Sequence, residues 1–139
     1  MKQSKTAFTL IEILVVVTII MLLTATAVVT YSTFLKQSRD AKRKADLGQI
    51  SAALEMYRSN NVGYPNGNWS NLSVLTSGTI YIQSLPSDPK SSSYSYYYIG
   101  SNTDYTLGAH LENVATTCQS LTTQCTSNCT YCLGPYGQK

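Results

Sequence analysis

The stretch KTAFTLIEILVVV, residues 5–17, decides how the rest of the chain is read. Glu12 stands near the start of an apolar run that continues past it to about Val29, and no further charge follows until Lys36. An acidic side chain at the centre of a bilayer costs ~2.5–3.5 kcal/mol on insertion scales, and less near the interface. Such residues are rare and usually have a partner, so Glu12 calls for one. Phe8 to Val29 covers 22 positions. At ~1.5 Å per residue that is about 33 Å of helix, enough to cross the ~30 Å hydrocarbon layer. A retained membrane helix is the first reading. A cleaved secretory signal competes with it, because Lys2 and Lys5 make a positive start and Ala25-Thr26-Ala27 has the small residues that signal peptidase recognises. Signal h-regions, however, are ~7–15 residues long and have no use for a carboxylate.

Beyond the run the pattern stays helical and becomes amphipathic. Leu47, Ile50, Leu54 and Tyr57 recur at helical spacing, while Arg43, Lys44, Asp46, Gln49 and Arg58 fall mostly elsewhere on the wheel. No proline precedes Pro65, and Gly48 is the only glycine before Gly63, so one helix of about 50 residues is expected from Phe8 to about Arg58. SNNVGYPNGN, residues 59–68, ends it, with Asn61 or Gly63 suited to a left-handed C-cap and Pro65 unable to continue.

The remainder reads as short strands and turns. TIYIQSL (79–85), YSYYYIG (94–100) and DYTLGAHLEN (104–113) predict three strands in an antiparallel meander, the last alternating Tyr105, Leu107, Ala109 and Leu111 against Thr106, Gly108, His110 and Glu112. A sheet that small needs a helix over one face, and the Leu47, Ile50, Leu54 and Tyr57 stripe is the available cover. The expected fold class is therefore α+β. Residues 1–7 form a leader and 8–34 a membrane-spanning or filament-core helix. Residues 35–139 form an amphipathic helix with a β head, and a cysteine-rich tail begins near residue 114.

Charge and cysteines bear on compartment. Removing Lys2 and Lys5 from the ten basic residues leaves eight against seven acids, a net of +1, which is no broad field for nucleic acid. Five basic residues, Lys36, Arg39, Lys42, Arg43 and Lys44, follow the run with only Asp40 to offset them. Counted by the positive-inside rule, they favour a cytoplasmic head. Cys118, Cys125, Cys129 and Cys132 sit within CQSLTTQCTSNCTYC (118–132). Outside the cytoplasm they read as two disulfides, with three possible pairings; inside it they could hold zinc, although only Cys129 and Cys132 have knuckle spacing.

Catalytic chemistry finds no support. His110 is the only histidine, no phosphate-binding glycine loop is present, and Asp88, Asp104 and Glu112 are scattered, so a calcium site would need many backbone carbonyls. No enzyme activity, metal or cofactor is expected.

A family likeness becomes specific at KTAFTLIEILVVVTII (5–20), which resembles the start of a type IV prepilin or a type II secretion pseudopilin. AKRKADLGQISAALEMYRSNNVGYP (41–65), LPSDPK (85–90) and DYTLGAHLEN are similar to the major-pseudopilin branch. The resemblance implies cleavage by a prepilin peptidase between Ala7 and Phe8, N-methylation of Phe8, and a role for Glu12 in assembly. Glu12 lies about one turn from the new terminus, so its carboxylate can meet the Phe8 ammonium of a neighbouring subunit and both charges are compensated. Members usually have Gly where Ala7 stands; many have a mid-run glycine and a later proline where Met21 and Val29 stand, which predicts a continuous helix here. The likeness implies a type IV pilus-like filament subunit first, with a major pseudopilin as the alternative; apart from the likeness, the signal-like start leaves a secreted soluble protein cut after Ala27 as a third reading. Implied partners are other copies of the chain, a prepilin peptidase, a platform protein, an assembly ATPase and the cytoplasmic membrane. The implied location is a bacterial or archaeal-type cell envelope, with the head outside.

Overall fold

The computed structural model describes residues 8–114, 118, 125 and 129–139. The leader, with Lys2, Lys5 and Ala7, lies outside the described residues. The chain divides into two compact units, one ending at Leu35 and the other Lys36–Lys139.

Helix α1, Leu10–Asn60, runs 51 residues without interruption. In its apolar part Thr18, Thr24, Thr26 and Thr30 donate their hydroxyls to carbonyls three or four residues back, at 2.8–3.1 Å. Each polar side chain is thereby satisfied within its own helix, as a lipid environment demands. At the other end the Asn61 side-chain amide donates to the Tyr57 carbonyl at 2.9 Å. Of the two positions suited to a left-handed C-cap, Gly63 is not left-handed; the positive-φ glycines are Gly67, Gly78 and Gly137. The missing side chain of Gly63 serves close approach instead, since a Cβ there would collide with the Asn102 carbonyl.

Among the described residues the second unit is a helix-covered antiparallel sheet of five strands rather than three. Strands β1 (Gly67–Asn68), β2 (Tyr97–Gly100), β3 (Tyr105–Ala109), β4 (Tyr131–Gly134) and β5 (Gly137–Gln138) lie in that order, each antiparallel to the next. Residues 94–100 and 104–113 do supply strands, but TIYIQSL does not. It is an irregular segment whose Tyr81 and Ile82 N–H groups both reach the Leu75 carbonyl. Ile80 points out, 66% exposed, while Ile82 is buried. The missing strands come from the short Gly67–Asn68 pair and from the tail, where cysteine-rich, turn-rich composition masked β4 and β5.

One core fills the space between α1 and the sheet. Leu47, Ile50, Ala53 and Leu54 are buried with Leu72 and Leu75 of the 3-10 helix Trp69–Leu75 and with Tyr96, Tyr98, Tyr105, Leu107 and Ala109. Tyr57 is half-buried against it. A fully buried leucine is worth ~1.5–3 kcal/mol, so these few positions hold the head together. Buried tyrosines keep their hydroxyls paired: Tyr96 donates to Asp46 at 2.7 Å, Tyr98 to the Pro65 carbonyl at 2.6 Å, and Tyr105 meets Ser51 at 2.8 Å. Burial pushes the Tyr105 phenol up to about 12.

Strand β3 is buried along its whole length, Thr106 and Gly108 included. Its second face was expected to meet solvent. A second cluster, of all four cysteines with Tyr97 against it, lies outside the main core, and Gly108 pairs in register with both Tyr97 and Cys132. The Lys139 ammonium, 3.1 Å from the Thr106 hydroxyl, covers the other buried position.

Candidate functional site

In the N-terminal unit, Thr9 stands immediately before α1 and Glu12 occupies its first turn. The Glu12 carboxylate accepts from the Thr9 backbone N–H at 2.8 Å and from the Thr9 hydroxyl at 2.8 Å. The Glu12 N–H in turn lies 3.4 Å from the Thr9 hydroxyl oxygen. This is a reciprocal capping box: residues three apart satisfy two amide donors that a helix start leaves open. The acid therefore has a partner inside its own chain. Thr9 was missed in the sequence reading, although Thr-x-x-Glu before an apolar run is a recognisable signature.

Around this cap the apolar surface is bare. Phe8 is 83% exposed, and every large apolar side chain from Leu10 to Leu23 is at least 41% exposed. An unpartnered helix of that composition has to be covered by lipid or by other apolar helices. Leu10–Ala27 is long and apolar enough to cross a membrane. Phe8 and Glu12 are thus at one end of a single uncovered apolar helix, and Ala7, the other half of the expected cleavage site, lies outside the described residues.

The head concentrates its charges differently from the sequence reading. Arg43, expected on the solvent side, is fully buried, and Asp40 and Asp46 are buried beside it on α1. Arg43 donates to both Asp88 oxygens at 2.8 and 3.0 Å, to Asp40 at 2.9 Å and to Glu112 at 3.0 Å. Arg39 grips both Glu112 oxygens at 2.7 Å, and Lys90 adds a 3.2 Å contact to the same carboxylate. Asp88 and Glu112, scattered in sequence, are brought together on two guanidinium groups that leave them no charge to offer a cation. The Arg39 bond holds the Glu112 carboxyl well below the usual range despite burial, with help from Arg43 and Lys90. Burial would raise Asp88, but the Arg43 bond and the Lys90 N–H outweigh it and hold it low.

The cysteines pair as Cys118–Cys132 and Cys125–Cys129, with Cα separations of 5.8 and 5.7 Å. The Cys118 N–H also donates to the Cys129 carbonyl at 2.9 Å. The first bridge ties Cys118 to β4, and Tyr131–Gly134 and Gly137–Gln138 bring the end of the tail into the sheet. His110 stacks on Tyr94 with centroids 4.3 Å apart.

The prokaryotic N-terminal methylation motif matches residues 2–28, and the type II secretion system protein G family matches residues 31–113. The type II secretion system core protein G of Pseudomonas aeruginosa is 31% identical over 122 residues, spanning 78% of this chain and 86% of that protein. No solved structure matches.

Proposed function

The chain belongs to the type II secretion system protein G family, and from that membership we propose that it is a pseudopilin, a structural filament subunit of a secretion apparatus. The observation that carries this reading is the match across residues 31–113. Pilins and pseudopilins share the N-terminal motif, whereas this match lies in the head and favours the secretion branch. The order set by the sequence is thereby reversed: the pseudopilin, first given as the alternative, is preferred over a surface pilus subunit.

In this reading a prepilin peptidase cuts between Ala7 and Phe8, the Phe8 amine is methylated, and the uncovered helix holds the subunit in the membrane until it packs against other copies. An assembly ATPase and a platform protein drive that transfer. Each helix exchanges lipid for neighbouring apolar helices, and Glu12 is offered the Phe8 ammonium of an adjoining protomer. Two disulfides support a head outside the cytoplasm, because such bonds persist in oxidising compartments.

Deletion of the gene in its own host tests the assignment. Loss of secreted proteins from the medium with surface filaments intact is the expected result. Loss of surface filaments with secretion unchanged would restore the pilus reading. N-terminal sequencing of the mature chain should give Phe8, and a start at Val28 would establish the soluble secreted form instead.

A further inference from the structure

All seven Asp and Glu side chains accept hydrogen bonds within the chain: Glu12 from Thr9, Asp40 and Asp88 from Arg43, Asp46 from Tyr96, Glu55 from Tyr64, Asp104 from Lys139, and Glu112 from Arg39. The basic side chains are not used up in the same way. Of the five cations that follow the apolar run, Arg39 and Arg43 are committed to the internal network. Lys36 and Lys42 are exposed and have no hydrogen-bond or ion-pair partner among the described residues, and exposed Lys44 only overlies the Tyr131 ring at 5.6 Å. The charge left unpaired on α1 just beyond the apolar run is therefore positive.

We propose that Lys36, Lys42 and Lys44 form a binding site for the phosphate headgroups of anionic phospholipids, which holds the unassembled subunit at the membrane surface. The inference rests on the membrane-anchored reading above. Leu10 to Leu35 is roughly 39 Å of helix at ~1.5 Å per residue, with Phe8 and Thr9 before it, close to the ~40–45 Å of a bilayer with its headgroup layers. Lys36 is the next residue, so it falls at the level of the phosphates. Lys42 and Lys44 follow within roughly 12 Å at ~1.5 Å per residue and point in other directions around the helix, so together the three ammonium groups ring it. Their flexible stems let the charges reach back to the surface. This also resolves the charge count that favoured a cytoplasmic head: two of the five cations serve the fold, and three serve the bilayer surface from which the head emerges.

The test uses the mature full-length chain in phosphatidylcholine bilayers carrying trace spin-labelled phosphatidylglycerol or spin-labelled phosphatidylcholine. The fraction of each label restricted by the protein is read by electron paramagnetic resonance. Phosphatidylglycerol should be preferred about fivefold or more, the effect of one surface lysine or more near anionic lipid. The preference should fall to parity in K36Q/K42Q/K44Q and at ~1 M salt, where the screening length is ~3 Å. It should survive in K36R/K42R/K44R. Equal restriction of both labels by the native chain overturns the lysine site alone, as does a preference unchanged in the glutamine variant. Inorganic phosphate that abolishes the preference at matched ionic strength overturns it too, in favour of a free-phosphate site. A chain that restricts neither label is not in the bilayer, and that result defeats the membrane-anchored reading as well.

Discussion

Glu12 carries two demands that a substitution can separate. As the third residue of the helix it closes a capping box on Thr9; as an anion it is the proposed partner of a neighbour's amine. Glutamine keeps the capping geometry, because the box accepts Glu or Gln, but removes the charge. Glu12→Gln should therefore retain the helix start and be cleaved and inserted, yet assemble poorly, while Glu12→Ala should also fray the first turn. Amide exchange at Thr9 in micelles and electron microscopy of filaments read the two effects; normal filaments from either variant would remove the pairing role. Arg43 presents the opposite case, an internal charge with structural work only. Arg43→Ala leaves Asp88 and Asp40 buried without their cation and should cost on the order of 3–5 kcal/mol in denaturant unfolding. Removing both partners in Arg43→Met with Asp88→Asn should cost clearly less; equal losses would show that packing rather than charge dominates there.

At the level of elements, the tail and the charged seam each join parts distant in sequence. Cys118–Cys132 closes a loop with sequence separation 14; a loop of about 15 residues corresponds to ~3 kcal/mol of restricted unfolded-chain entropy. The Cys125–Cys129 separation is 4, so its chain-entropy effect is smaller. Replacing Cys118 and Cys132 together by alanine should lower the head's thermal midpoint more than replacing Cys125 and Cys129, and the reverse order would overturn the assigned roles. The seam that links α1 to Asp88 and Glu112 sets the acid limit of the fold. Both carboxyls are held below their ordinary values of 3.8 and 4.5. Their contribution is therefore complete above those values and is lost as pH falls through the lower folded ones. The midpoint should stay level near neutrality and drop below about pH 4.5, where the unfolded carboxyl begins to take up protons in preference. A midpoint unchanged down to about pH 3, a pH below both ordinary carboxyl values, would contradict the seam.

For the whole molecule, the proposed cycle asks one helix to be stable in lipid and then in a protein bundle. The continuous α1, with its threonine hydroxyls satisfied within the helix, suits both settings, since neither supplies water for stray polar groups. The head's core and its disulfides lie wholly within Lys36–Lys139, so the proposed transfer asks no change of them. Gene deletion, scored by secreted protein against surface filaments, addresses this scale directly.

The sequence by itself determined the long helix, its apolar span, the stripe of Leu47, Ile50 and Leu54, and two of the five strands. Each of these follows from local periodicity that one segment displays alone. Tertiary structure decided the rest. Arg43 reads as a solvent-facing cation on a helical wheel, and only the convergence of Asp88 and Glu112 makes its burial affordable. Strand β3 reads as half-exposed, and only the return of the cysteine tail and Lys139 covers its second face. TIYIQSL has the composition of a strand, but its Tyr81 and Ile82 N–H groups are taken by the Leu75 carbonyl instead of a neighbouring strand. Charge pairing and two-sided burial depend on residues tens of positions apart, and no window of neighbouring residues contains them.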